Sequence, residues 1–153
     1  PRRVDSWALH TEIYKARPEI ASVTHTHQKW CTVFGIAGRD VLPVIHPPTA
    51  SVAAIPWPVY TGPEGAIDSP EKGAAIADLL KDNVACHLRG HGMAFVGTTV
   101  SKSKLAAGEA EEQAELTWRA MLAGDPEAIE LAKHEHAMSG VIDFFSACGV
   151  VCM

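Results

Sequence analysis

Trp7, Leu9, Ile13 and Tyr14 recur at helical spacing behind Asp5 or Ser6, either of which can cap a helix, and Arg17-Pro18 stops the pattern. A helix running to about Ala16 is predicted. Over residues 20–27 the period changes to two, placing Ala21, Val23, His25 and His27 on one face of an extended segment and Ser22, Thr24 and Thr26 on the other. Trp30, Val33 and Phe34 give a short helix that stops near Gly35 to Gly38. Two short extended pieces follow, residues 41–45 and 52–60. Pro43, Pro47, Pro48, Pro56 and Pro58 confine them to sheet edges or loops.

Asp68-Ser69-Pro70-Glu71 is a capped helix start, and Ala74, Ile76, Ala77, Leu79 and Leu80 carry the helix to Asn83. Residues 84–88 and 93–96 form two apolar strands around a turn at His91, where glycine on both sides permits a tight backbone. A long helix over residues 101–123 carries Leu105, Leu116, Trp118 and Met121 as packing residues, and Gly124-Asp125-Pro126 ends it. A final helical stretch runs from Glu127 towards Phe145. No repeat, low-complexity tract or linker interrupts the chain, so residues 1–153 read as one α/β domain with helices flanking a mixed sheet. The start at Pro1, without Met, suggests a further N-terminal portion.

At 153 residues such a domain buries roughly two-thirds of its unfolded surface, and 47% hydrophobic content excludes a disordered chain. The net charge of -5 comes without any basic run or stripe able to follow a phosphate backbone, so no nucleic-acid partner is expected. Cys31, Cys86, Cys148 and Cys152 are scattered without C-x-x-C pairing; small core residues in a reducing cytoplasm are the simplest reading. No apolar stretch approaches the roughly 20 residues of a membrane helix, and the first five residues lack a signal-peptide core. A soluble protein without a membrane partner is expected.

The chemistry lies in the histidines. In a strand, His25 and His27 stand roughly 7 Å apart on one face, close enough for two imidazoles to converge on one ion. His91, held in Arg89-Gly90-His91-Gly92, supplies a third. Three neutral imidazoles with an open position suit a divalent ion that lowers the pKa of bound water or polarises a bound oxygen. His134 and His136 repeat the H-x-H spelling, but in a predicted helix they diverge by about 200° and read as solvated. His46 reads as a loop residue and His87 as a satisfied core imidazole. His10 faces either the core or the site.

The run from Leu9-His10-Thr11-Glu12-Ile13-Tyr14 through Arg17-Pro18, then Val23-Thr24-His25-Thr26-His27 and Leu88-Arg89-Gly90-His91-Gly92, resembles the class II aldolase/adducin family over roughly residues 4–122. That resemblance implies a three-layer α/β/α sandwich with a central mixed or antiparallel sheet, commonly assembled as a tetramer with the active site near a subunit interface. It also implies a divalent metal on His25, His27 and His91, zinc first, with manganese, cobalt or iron as alternatives. Sugar-phosphate aldolases of the family place a catalytic glutamate four residues before the histidine matching His10, where this chain has Ser6 beside Asp5. The Asp5 to Tyr14 stretch and the Arg-Gly-His-Gly turn are more similar to the branch that decarboxylates hydroxylated aromatic acids such as dihydroxyphthalate. A related branch contains iron-dependent oxygenases of hydroxyaryl acids.

The expected function is therefore metal-dependent carbon-carbon lysis, as non-oxidative decarboxylation of a dihydroxylated aromatic carboxylic acid. The expected partners are that small molecule and further copies of the chain. His10 is the first candidate proton donor, because an imidazole titrates near working pH, and Asp5 is the other. A sugar-phosphate aldolase or epimerase is the rival enzyme. An adducin-like scaffold is the rival without chemistry.

Overall fold

The computed structural model describes residues 5–42, 56–62 and 66–124. The extended piece expected at 41–45, His46, the helical stretch from Glu127, His134, His136, Cys148 and Cys152 fall wholly or largely outside them. The described residues form α1 (Trp7–Ala16), β1 (Ser22–Thr26), α2 (Lys29–Ala37), β2 (Val59–Tyr60), α3 (Pro70–Leu80), β3 (Ala85–Leu88), β4 (Gly92–Gly97) and α4 (Val100–Ala123). Among them, no helix is long and apolar enough to cross a membrane.

The sheet order is β1-β4-β3-β2, with β4 antiparallel to both neighbours and β2 parallel to β3. It is the expected mixed sheet, with the proline-flanked β2 at one edge. Because β-strand side chains alternate, β4 feeds two cores: Ala94 and Val96 join Leu9, Ile13, Ile76 and Leu80 under α1 and α3, whereas Met93 and Phe95 join Phe34 and the α4 alanines. Three layers result.

Local chemistry sets the helix limits. The Ser69 hydroxyl accepts from Lys72 N at 3.4 Å and Pro70 occupies the first turn of α3, while the Thr99 hydroxyl accepts from Lys102 N to start α4. At Gly38, φ of 61° closes α2 in the left-handed conformation that glycine adopts without steric cost. Helices α1 and α3 approach so closely that a methyl at Gly73 would overlap the Ala8 carbonyl. At the other edge of the sheet, α1 shields β1: Tyr14 Oη accepts from Val23 N at 3.0 Å, and the His10 ring bonds the Val23 backbone.

The packing face of α4 differs from expectation. Ser103, Ala106, Ala107, Ala110, Gln113, Ala114 and Thr117 are buried, whereas Leu105 and Leu116 are 56% and 38% exposed. Near Ser103 a small residue is required, because the helix lies against the sheet closely enough for Ser103 Oγ to bond Ser22 Oγ at 2.7 Å and Thr24 Oγ1 at 2.9 Å. Trp118 and Met121 do pack against the core. Midway along α4, the Glu111 carboxylate accepts from Trp30 N at 2.9 Å and Cys31 N at 3.0 Å, satisfying orphan N–H groups at the start of α2.

His87 is buried as expected but only half satisfied. Its ring bonds the Cys31 backbone, while Nε2 has no partner among the described residues and rests on Gly35. Burial, outweighing the Cys31 bond, holds this imidazole below its usual pKa. A methyl at Gly35 would overlap Nε2. Gly35→Ala should therefore destabilise the fold by about 1–3 kcal/mol in urea denaturation; an unchanged midpoint would show that the ring has room to move.

Candidate metal centre and cleft

His25, His27 and His91 converge although they come from two chain segments. His25 lies in β1 opposite Ala94, and its Nδ1–H donates to the Met93 carbonyl at 2.9 Å. A carbonyl can only accept, so this bond fixes the tautomer and leaves Nε2 with a free lone pair. His27, just beyond β1, places its own Nε2 3.1 Å from that atom. His91 arrives on the turn between β3 and β4, closed by His91 N bonding Leu88 O at 2.9 Å, with Gly90 at φ 68°. Gly92 permits the approach, since a methyl there would overlap the Thr26 carbonyl and meet Cδ2 of His27 at 2.8 Å.

The ring centroids are 4.7, 4.8 and 5.0 Å apart, and one nitrogen from each ring lies within 4.8 Å of the others. Tetrahedral zinc with bonds of about 2.0–2.1 Å needs ligand nitrogens about 3.3 Å apart, a spacing that ring rotation can reach from here. Burial first, and then the neighbouring imidazoles, hold His25 below its ordinary pKa against the opposing Met93 bond; burial and His27 do the same to His91. Both groups therefore favour the neutral, ligand-competent form. The donor set fits a divalent ion of borderline softness.

Beside these rings opens a cleft of about 700 Å³. Asp5 and Ser6, at the start of α1, lie on its wall, as do Tyr60, Ile67 and Arg89. Ser6 is buried with φ 63° and does not cap α1; its hydroxyl instead accepts from Ile67 N at 3.2 Å. The expected cap is thus diverted into joining the helix start to the cleft wall. His10 is half-buried beside Val23 and does not line the cleft, whereas exposed Asp5 does. Tyr60, Gly62 and Ile67 were not singled out by sequence reasoning. The only signal was an aromatic residue and a glycine two apart after a proline-rich run.

Residues 1–118 match the family described as Class II Aldolase and Adducin N-terminal domain. The chain belongs to this family. It is 29% identical over 139 residues to a 5-methylthioribulose-1-phosphate/5-deoxyribulose-1-phosphate aldolase of Rhodospirillum rubrum, covering 90% of this chain and 62% of that protein. It is also 32% identical over 140 residues to a 3,4-dihydroxyphthalate decarboxylase of Terrabacter sp., covering 84% and 57%. An L-fuculose 1-phosphate aldolase from Glaciozyma antarctica has the same fold, with a TM-score of 0.70 at 22% identity over 86% of this chain and 49% of that one. The chain thus spans about three-fifths of the curated relatives it matches.

In metal-free protein, His10, His25, His87 and His91 all have depressed folded-state pKa values. Their contribution to stability is complete above the unfolded value of about 6.5 and is lost as pH falls through the folded values. Melting in chelator should shift to lower temperature between pH 7.5 and 5.5; a flat profile would show these imidazoles to be freely solvated. Replacing His25, His27 or His91 by Ala should abolish stoichiometric zinc in elemental analysis, and a variant with wild-type zinc content would remove that residue from the ligand set.

Proposed function

We propose that this chain is the metal-binding part of a divalent-metal-dependent carbon-carbon lyase whose reaction is the non-oxidative decarboxylation of a dihydroxylated aromatic carboxylic acid. The observation that carries the reading is Ser6. A neutral, buried hydroxyl occupies the cleft wall at the position where the family's sugar-phosphate aldolases carry a catalytic glutamate. The likeness to a 3,4-dihydroxyphthalate decarboxylase supports the same branch.

On this reading His25, His27 and His91 hold the ion, with zinc the best match to three imidazoles. When bound, the ion supplies a fixed positive charge that stabilises the anionic oxygen generated beside the scissile bond. The Met93 carbonyl keeps His25 in the tautomer that presents Nε2. As carbon dioxide leaves, the bonding pair remains on the ring carbon and takes up a proton. Asp5, on the wall and open to solvent, is better placed than His10 to relay it from water. His10 then acts through β1, holding the Val23 backbone behind His25.

Two further readings belong here. Leu105 and Leu116 are eleven residues apart, hence on one side of α4, and both are exposed, which supports a homo-oligomer, as a tetramer. The free, buried thiols of Cys31 and Cys86 fit a reducing cytoplasm. The rival enzyme, a sugar-phosphate aldolase, is supported by the likeness to the Rhodospirillum rubrum protein over 90% of this chain.

One experiment separates the two. Metal-loaded full-length protein should release carbon dioxide from an ortho-hydroxylated aromatic acid without consuming oxygen, and Ser6→Glu should lower kcat/KM at least about tenfold by placing a carboxylate in the cleft. Cleavage of a sugar phosphate, enhanced by Ser6→Glu, would assign the aldolase branch instead. Oxygen uptake matching product would assign the oxygenases.

A further inference from the structure

The cleft also holds a phenol that the described fold does not use. Tyr60 is half-buried, with its ring against the core beneath α1 and α3, and a side chain so placed ordinarily finds a hydrogen-bond partner for its hydroxyl. The other tyrosine, Tyr14, finds a partner even though it is more exposed, accepting from Val23 N. Tyr60 Oη makes no hydrogen bond among the described residues.

Its position is nevertheless fixed from both sides. The Tyr60 carbonyl accepts from Arg89 N at 3.0 Å, two residues before His91, and Tyr60 pairs with Leu88 where β2 runs alongside β3. The phenol is therefore tied through the backbone to the turn that carries a metal-ligand candidate. At the ring's far end, Gly62 also lines the cleft, and a methyl there would overlap Cζ and Oη of Tyr60. The missing side chain at Gly62 is what lets the hydroxyl end settle in this pose.

We propose that Tyr60 contacts the substrate, its Oη–H donating a hydrogen bond to an anionic oxygen in the cleft. A phenol is a donor at neutral pH, and a bond to a carboxylate or phenolate oxygen is roughly twice as strong as one between neutral groups. The identity of that oxygen as part of an aromatic acid rests on the decarboxylase reading; the role of Tyr60 as its donor does not.

The test uses zinc-loaded full-length protein and Tyr60→Phe, which removes one oxygen and keeps the ring. Because that oxygen bonds nothing in the described fold, the melting temperature should stay within about 1 °C. The Kd for 3,4-dihydroxybenzoate should rise, and kcat/KM for carbon dioxide release from 3,4-dihydroxyphthalate should fall, each about tenfold or more. Gly62→Ala should impair both through displacement of the ring, and adding it to Tyr60→Phe should cost much less than the product of the two effects. Wild-type Kd and kcat/KM in Tyr60→Phe would overturn the proposal, and so would losses matched by a large drop in melting temperature, which would mark a structural hydroxyl. If wild-type protein ignores aromatic acids but cleaves a sugar phosphate, the decarboxylase reading fails alone, and Tyr60→Phe is judged by the same tenfold threshold on that substrate. Protein that neither binds nor converts either class rejects both.

Discussion

The antiparallel pairing of β1 with β4 is the constraint on which the site depends. It sets His25 opposite Ala94 and Thr26 opposite Met93, so that the Met93 carbonyl reaches the His25 ring and the turn before Gly92 delivers His91 beside His27. A slip of one residue would reverse the faces of β1, sending both histidines toward α4 and Ser22 and Thr24 toward the opposite core. The hydroxyl contacts of Ser22 and Thr24 with Ser103 oppose that slip as directly as Val23 in the opposite core does. Register and the convergence of the three imidazoles are thus one property.

The elements around this pairing share that burden. Thr26 Oγ1 donates to Gln28 Oε1 at 2.9 Å, and Gln28 Nε2 donates to the Ala107 carbonyl, so the residues flanking His27 are tied to α4. Glu111, one turn along the same helix, fixes the start of α2. His27 itself is exposed, yet the chain on both sides of it is held. Ligand positions set by main chain and neighbouring helices lose little freedom when an ion binds, which is the physical meaning of a preorganised site.

Much of this was legible because it follows from period and residue type. The change from helical spacing to alternation before His25, the capped start at Ser69-Pro70, and the glycines around His91 each specify a backbone outcome, and the structure shows them. Two features were hidden by tertiary geometry. Leucines at 105 and 116 look like packing residues in a helix pattern, but the inner face of α4 is filled by alanines, Ser103, Gln113 and Thr117, and the leucines point away from it. Ser6 looks like a helix cap, but the adjoining segment brings Ile67 N within reach and takes its hydroxyl. Tyr60 was invisible for a related reason: its relation to the His91 turn is a long-range backbone bond, and no local pattern records it.

The charge of the cleft narrows the chemistry it can serve. Three neutral imidazoles would leave a divalent ion with its full positive charge, unlike a site built from carboxylates or thiolates, and Arg89 on the wall makes no ion pair among the described residues. Opposing these is Asp5, exposed at the start of α1 and so well screened by water. In a protein of net charge -5, such a local positive centre would attract anions against the surrounding field. Neutral sugars would gain little from it. Carboxylates, phenolates and phosphates would gain most, and on the proposed reading the wall hydroxyls of Ser6 and Tyr60 would donate to them while the imidazole side holds the charge.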